Sequence, residues 1–265
     1  MPTRLLHVSD LHFGAGDDPQ RDGALAALIE RVAPELVIAS GDLTHRGRRD
    51  QHEHAATFLR QLGPAVLAVP GNHDIPYAFP ARVTAPWREF ERQWQTVEPA
   101  YAGDQLHVVG INSVRPWHHQ SGGVTDPQLA RAAEQLERAA PGALRVVAMH
   151  HQLIDAPWRG HKKPVARRDH VLSKLVAAGA ELVVGGHIHQ AAVAERHEFD
   201  VLVGRAPGCV ISIAPGLGRP RPRRHGEARG CVAYRTDERS LTCETFIWID
   251  GSWRQTAERR FSRVA

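Results

Sequence analysis

The sequence predicts a layered α/β fold, with residues 1–265 forming a single domain. Six short, continuous runs of Val, Ile, Leu and Ala recur through the first 185 residues, which is typical of strands covered on both faces. Segments with helical spacing of apolar residues lie between most of these runs. Alternating strands and helices favour sheets with helices packed outside them.

The predicted strands in the first part of the chain cover residues 5–9, 36–40, 65–69, 106–111, 145–149 and 181–184. The predicted helices cover residues 23–32, 50–62, 127–139 and 169–178. Asp126 is the expected N-cap of the third helix with Pro127 as its first residue, and Gly179 is the expected residue just past the end of the fourth.

The last part of the chain, residues 192–265, reads as strands without helices: 201–203, 209–213, 231–234 and 242–249. Asp250-Gly251 after the last of these predicts a tight hairpin. We expect these strands to complete a second sheet rather than to form a separate domain.

Two segments stand apart from this pattern. Residues 75–101 form an insert after Asp74, with a cap over a neighbouring cleft as one open role, and its Trp87, Phe90 and Trp94 are expected to pack rather than to bind a ligand. Residues 219–224 are rich in Pro and Arg and read as a solvated loop.

Composition limits the function classes. Lys and Arg number 33 against 29 Asp and Glu, so the chain carries a formal charge of +4 and a pI near 9.3. This mild excess suits an anionic substrate and does not by itself point to nucleic acid.

The sequence contains no apolar run long enough to span a bilayer and no signal-peptide pattern, and its cysteine count of three is odd. These features predict a cytoplasmic protein. The oligomeric state stays open, with a homodimer among the options.

Polar residues of the metal-ligand type follow nearly every predicted strand. The carboxyl ends of parallel strands gather at one edge of a sheet, so these residues are expected to converge on one site. Its candidate ligands are Asp10, His12, Asp42, Asn72, His150, His187 and His189.

This ligand set indicates two metal ions. Imidazole and carboxylate ligands without thiolate suit Mn, Fe or Zn. Seven groups are too many for one ion that keeps an open position, whereas two ions can share a bridging carboxylate. Gly41, Gly71 and Gly186 each precede a candidate ligand, where the chain must turn sharply.

The motif order D-x-H, G-D, G-N-H-D, H, G-H-x-H, from about residue 5 to residue 190, resembles the calcineurin-like metallophosphoesterase superfamily. The opening V-S-D-L-H-F-G and the G-N-H-D element are similar to those of bacterial class III cyclic-nucleotide phosphodiesterases. The resemblance implies a four-layer α/β/β/α sandwich, with two mixed sheets face to face and helices outside. It assigns one ion to Asp10, His12, Asp42 and His189. It assigns the other to Asp42, Asn72, His150 and His187, so that Asp42 bridges.

The resemblance and the chemistry of two-metal sites together predict a mechanism. The ions would lower the pKa of a bridging water, and the resulting hydroxide would attack phosphorus. His73 is the predicted catalytic donor of a proton to the leaving oxygen. Asp74 is expected either to orient that imidazole or to cap a turn.

Other residues near the predicted site are less clearly assigned. We expect His151 and Asn72 to contact substrate, and Arg115 to hold a phosphate oxygen, with Trp117 stacking on a base or closing a lid. For the loop that contains Arg115 and Trp117, an ordinary surface loop is the alternative. The histidines at positions 45, 52, 54, 161, 170, 197 and 225 read as surface or helix positions.

The predicted function is therefore metal-dependent hydrolysis of small phosphodiesters, with 3′,5′-cyclic nucleotides as the first substrates to test. Two alternatives stay open among enzymes: a pyrophosphatase acting on nucleotide-sugar or lipid diphosphates, and a phosphomonoesterase. A metal-binding scaffold protein is the non-enzymatic alternative, although such proteins usually lose a ligand or the catalytic His.

Overall fold

The computed structural model describes residues 3–16, 18–118, 120–157, 162–196, 208–218, 227 and 229–263. Within these residues the predicted layered α/β fold is confirmed as two six-stranded mixed sheets with helices. The predicted strand at 201–203 and the Pro/Arg-rich loop at 219–224 lie outside the described residues.

The first sheet has the order β12-β11-β10-β1-β2-β3. Its strands are β1 (Thr3–Val8), β2 (Leu36–Ala39), β3 (Ala65–Ala68), β10 (Gly230–Thr236), β11 (Ser240–Ile249) and β12 (Ser252–Ser262). β1, β2 and β3 run parallel, and β10, β11 and β12 continue the sheet in antiparallel pairs.

The second sheet has the order β4-β5-β6-β7-β9-β8. Its strands are β4 (Ala100–Ala102), β5 (Leu106–Gly110), β6 (Leu144–Ala148), β7 (Leu182–Gly185), β8 (Ala192–Glu195) and β9 (Val210–Ile213). The four inner strands are parallel, and the two edge strands pair antiparallel to them.

The expectation that residues 192–265 complete the second sheet is wrong for three of the five strands that the structure describes in this range. Only β8 and β9 join that sheet, whereas β10, β11 and β12 extend the first one. The reason is that β10 pairs antiparallel with β1, the first strand of the chain, with Leu5 opposite Tyr234. The predicted hairpin is confirmed, and both Asp250 and Gly251 have positive φ between β11 and β12.

The helices are α1 (Pro19–Val32), α2 (Arg49–Gln61), α3 (Ala81–Thr84), α4 (Arg88–Trp94), α5 (Asp126–Leu136) and α6 (Arg168–Ala177). The expected N-cap of α5 is wrong by one residue. Thr125 caps the helix, and its hydroxyl and the Gln128 side chain form a capping box. Gly179 follows α6 with a φ of +86°, as a residue just past a helix end commonly does.

Three apolar layers explain why the strand runs are continuous. In β1, Leu5 packs between the two sheets and Leu6 packs under α1 and α2. A third cluster joins the outer face of the second sheet to α5 and α6. Successive strand residues point to opposite faces, so strands covered on both faces are apolar throughout.

The insert at 75–101 contains α3, α4 and the start of β4, none of which was predicted. Phe90 and Trp94 pack as expected: Phe90 is fully buried, and Trp94 contacts the same apolar cluster. The Phe90 ring also meets the buried imidazole of His52 edge-on. The insert is thereby fixed against α2. Within the described residues, we find no helix with both the length and the apolarity needed to cross a membrane.

Candidate metal centre

The predicted metal ligands come together at the carboxyl edge of both sheets. The first sheet supplies the residues that follow β1, β2 and β3, and the second supplies those that follow β6 and β7. All except His12 are no more than 5% exposed: Asp10, Asp42, Asn72, His150, His187 and His189. The site therefore lies where the two sheets meet.

The nitrogen and oxygen atoms form two groups. In the first, His189 Nε2 lies 3.0 Å from Asp10 Oδ1 and 3.3 Å from His12 Nε2. In the second, His150 Nε2 lies 3.2 Å from His187 Nδ1 and 3.4 Å from Asp42 Oδ2. Asp42 Oδ2 is also 3.9 Å from His12 Nε2, so one oxygen faces both groups.

These spacings fit metal coordination. Ligands bonded at about 2.0–2.2 Å to one ion lie roughly 3.0–3.5 Å apart. Asp10 Oδ1, Asp42 Oδ2 and Asn72 Oδ1 are buried oxygens that accept no hydrogen bond of good geometry from the described residues, although His189 Nε2 lies close to the first of them. Buried polar atoms normally have partners, so three orphaned oxygens beside clustered imidazoles indicate cation ligands.

The ligand atoms that face away from the site form hydrogen bonds with the surrounding protein. Asp10 Oδ2 accepts hydrogen bonds from Ser9 Oγ at 2.7 Å and from the His187 backbone N–H at 2.9 Å. His150 Nδ1 donates to the Ser40 carbonyl at 2.8 Å, which aims Nε2 into the site. Such contacts fix both the tautomer and the orientation of a ligand.

Burial and charge set the protonation of the ligands. Burial lowers the pKa of His12 to about 4 and that of His187 well below its usual value, so both imidazoles keep a lone pair for a metal. Burial would raise the pKa of Asp42, but the His150 and His73 imidazoles hold it well below its usual range. The Asp42 carboxylate in turn overcomes the effect of burial on His150 and raises the pKa of that imidazole to about 9. A cation binding here would displace that proton.

The backbone at the site is strained. Of the nine non-glycine residues with positive φ in the described ranges, five are candidate ligands: Asp10 (53°), His12 (50°), Asp42 (50°), His187 (70°) and His189 (59°). Left-handed conformations cost a non-glycine residue of the order of 1–3 kcal/mol and persist where the surroundings hold them. Their concentration here marks the strand ends as a functional site.

Gly71 is required by close packing against Asp42. A Cβ at this position would lie 2.1 Å from the Asp42 nitrogen and 2.3 Å from its Oδ1. We therefore expect Gly71→Ala to displace Asp42 and to abolish metal binding, measured by metal content after reconstitution. Gly23→Ala, in α1 with open space around it, is the control and is expected to stabilise the fold by about 0.5–1 kcal/mol. Normal metal content in Gly71→Ala would contradict this account.

His73 lies beside the candidate ligands. Its backbone N–H donates to Asp42 Oδ1 at 2.8 Å, and its ring centroid is 4.9 Å from that of His12. Its Nδ1 donates to the His45 carbonyl at 2.8 Å, so Nε2 is the nitrogen left to meet a ligand. Backbone and side chain are both anchored, which suits a residue that must deliver a proton at one position.

Asp74 does not orient His73; of the two roles expected for it, the structure supports the turn cap. Its carboxylate accepts hydrogen bonds from the backbone N–H groups of Leu43, Thr44 and Gly71, and from the Thr44 hydroxyl. Asp74 therefore ties the turn after β2 to the turn after β3. The His45 carbonyl takes the role of orienting His73.

We expect Asp74→Ala to lower the free energy of unfolding by about 3 kcal/mol or more, because several buried donors lose a charged acceptor. Urea denaturation measures the change. Asp237 is the matched control, since it also accepts from two backbone N–H groups and a hydroxyl but is exposed. Its alanine variant is expected to lose less than about 1 kcal/mol, because water replaces the lost acceptor. Equal losses in the two variants would contradict this role for Asp74.

Two of the predicted substrate contacts, Arg115 and His151, already have partners within the protein, and their contact with substrate stays a prediction. Arg115 donates to the Asn112 and Val114 carbonyls and to Gln128 Oε1, so its guanidinium braces its own loop. His151 is 1% exposed, with its Nδ1 2.8 Å from Ser113 Oγ, and it packs against His187 rather than lining an open cleft. For Asn72, whose Oδ1 is an orphaned buried oxygen, a substrate contact stays a prediction.

Three residues at the site were missed. His45 stacks on His73 at 5.9 Å between ring centroids, and His52 Nε2 lies 3.0 Å from the Asp74 carbonyl oxygen. Lys162 Nζ donates to the His187 carbonyl and lies 3.4 Å from His187 Nδ1. Each belongs to a segment without a motif of its own, so only a long-range contact reveals it.

Comparison with known proteins agrees with this geometry. The family model of the calcineurin-like phosphoesterases matches residues 3–191. A protein from Rhodopseudomonas palustris named a probable cyclic nucleotide phosphodiesterase is 29% identical over 59% of this chain. That alignment covers 60% of the relative, less than two thirds of its length.

Two further proteins cover more of the chain. A glycerophosphodiester phosphodiesterase from Enterobacter lignolyticus is 25% identical over 87% of this chain and 86% of its own. A dimetal phosphatase from Danio rerio superposes with a TM-score of 0.67 and 13% identity over all of both chains, and so shares the fold.

Proposed function

Because the chain belongs to the calcineurin-like phosphoesterase family, we propose that it is a two-metal phosphodiesterase acting on small phosphodiesters, with 3′,5′-cyclic nucleotides as the leading substrates. The observation that carries this proposal is the orphaned Asp42 Oδ2, which faces both ligand groups at once. Asp42 is suited to bridge the ions. Mn, Fe and Zn all suit this donor set.

Two ions bound here would lower the pKa of a water between them and neutralise charge on a phosphate oxygen. The residues of the chain supply the rest. The Asp42 backbone and side chain bind His12 and His73, so a metal ligand and the proton donor are held in one frame. His73 Nδ1 already donates to a carbonyl, so the proton for the leaving alcohol must come from Nε2.

The diester preference is supported by the relatives rather than by the metal centre. The two proteins named phosphodiesterases above act, by name, on cyclic nucleotides and on glycerophosphodiesters. We propose the same reaction class for this chain. Pyrophosphate and monoester substrates use the same donor set and are the alternatives to be tested.

A substrate panel on protein reconstituted with Mn, Fe or Zn tests the proposal. It should include cyclic nucleotides, glycerophosphodiesters, nucleotide sugars and phosphomonoesters, with bis(p-nitrophenyl) phosphate as a generic diester. We expect diesters to give the highest kcat/KM. The proposal fails if an Asp42→Ala variant matches the wild type on every diester, or if monoesters or diphosphates are turned over faster.

A further inference from the structure

Three large aromatic side chains, in the segments that follow β3 and β5, are strongly exposed. Tyr77 is 65% exposed, Phe79 is 78% exposed and Trp117 is 74% exposed, and these are the most exposed large apolar residues that the structure describes. Single exposed apolar residues are ordinary, whereas a group of them marks a binding surface. We call these three residues the aromatic rim.

One buried arginine holds the two segments of the rim together. Arg82 is only 6% exposed. Its Nε donates to the Pro116 carbonyl at 2.9 Å, and its Nη1 donates to the Pro76 carbonyl at 3.2 Å. Pro116 directly precedes Trp117, and Pro76 directly precedes Tyr77. The loop after β5 and the insert after β3 are therefore fixed side by side.

Tyr77 connects the rim to the His73 side of the metal centre. The Arg46 guanidinium sits 5.6 Å from the centroid of the Tyr77 ring. Arg46 follows His45, whose carbonyl holds His73 and whose ring stacks on it. Since His73 is the proposed proton donor, this is the side on which the leaving alcohol of a substrate would lie.

We propose that the aromatic rim binds a planar, uncharged group on the leaving-group side of the substrate, namely a nucleobase. This inference rests on the proposed phosphodiesterase function and specifies its substrate class. Bases stack on aromatic side chains with little dependence on base identity. The rim offers aromatic faces and a neighbouring arginine, whereas an aliphatic leaving group such as glycerol has no face to stack on them.

Binding to the metal-loaded protein separates the base from the phosphate. Calorimetry measures Kd for adenosine 5′-monophosphate and for inorganic phosphate, in the wild type and in the triple variant Tyr77→Ala/Phe79→Ala/Trp117→Ala. We expect the variant to bind the nucleotide about 10- to 100-fold more weakly. Phosphate affinity should change less than about twofold, because phosphate meets only the metal centre.

An aromatic-retaining variant is the matched control. Tyr77→Phe/Phe79→Tyr/Trp117→Phe keeps the ring faces and is expected to hold nucleotide affinity within about threefold of wild type. All substitutions are at exposed positions, and thermal melting confirms that the fold is intact. Equal weakening of nucleotide and phosphate, or a wild type that binds the nucleotide no better than phosphate, overturns the inference.

Two further outcomes distinguish this inference from the proposed function and from dimerisation through the rim. A wild type that binds nucleotide through the rim yet cleaves no phosphodiester would defeat the proposed function and leave the rim as a nucleotide site. Sedimentation that shows a wild-type dimer dissolved by the triple variant would assign the rim to a second copy of the chain, and the nucleobase inference would then be wrong.

Discussion

Replacing Asp42 with asparagine is expected to remove both metal ions together and to lower diester turnover by roughly 10³-fold or more, since several kcal/mol of charge stabilisation is lost. Asparagine keeps the shape of the side chain and can still accept from the His73 backbone N–H. It lacks the charge that Oδ2 presents to His12 and His150. Metal content per chain and hydrolysis of bis(p-nitrophenyl) phosphate measure the two effects.

Asp10→Asn is the comparison that tests bridging. Asp10 belongs to the group that contains His12 and His189. Asp42 belongs to the group that contains His150 and His187. We expect Asp10→Asn to lose one ion and Asp42→Asn to lose two. Added metal should raise the melting temperature of the wild type and leave that of Asp42→Asn unchanged. An Asp42→Asn protein that still holds two ions would contradict the bridging role.

Replacing His73 with asparagine is expected to lower turnover by about 10²- to 10⁴-fold for substrates with an alkoxide leaving group. The loss should be below about tenfold for bis(p-nitrophenyl) phosphate, because nitrophenolate leaves readily without a proton. Metal content should stay normal, because His73 belongs to neither of the two ligand groups and asparagine retains the backbone hydrogen bond to Asp42. Turnover of both substrates at saturating metal measures the difference.

His170→Asn is the matched control for this variant. His170 is an exposed imidazole in α6, and its Nε2 lies 2.8 Å from Asp126 Oδ1 at the start of α5. Its replacement is expected to leave the turnover of both substrates unchanged. The same loss on alkoxide and nitrophenolate substrates in His73→Asn would argue that His73 supports the structure of the site rather than protonating the leaving group.

The candidate ligands could be picked out from the sequence because each follows a strand that is recognisable by its own composition. The apolar runs at 36–39 and 182–185 identify buried strands, and the Gly-Asp and Gly-His that follow them need no distant information. The roles of Asp74 and Arg115 depended on contacts that local pattern does not reveal. Asp74 accepts hydrogen bonds from Leu43 and Thr44, about 30 positions earlier in the chain. Arg115 donates hydrogen bonds to carbonyls of its own loop and to Gln128 in α5.

The local sequence pattern also could not predict which sheet the strands β10 to β12 join. Strands β10 to β12 were recognised as strands, yet β10 pairs with β1, more than 220 residues earlier in the chain, rather than with the sheet nearest to it in sequence. Either sheet would bury the apolar residues of these strands. Which edge they join is decided by the packing of the complete molecule.

The docking of β10 on β1 also limits how the chain can be shortened. The family model ends at residue 191, just past the last candidate ligand His189, so a fragment of that length carries every candidate ligand. In such a fragment β1, which leads directly to Asp10 and His12, would have β2 on one side and a bare edge on the other. Uncovered apolar edges recruit strands from other chains. The shortest fragment worth expressing must therefore include the strands that complete the first sheet and cannot end at the last motif.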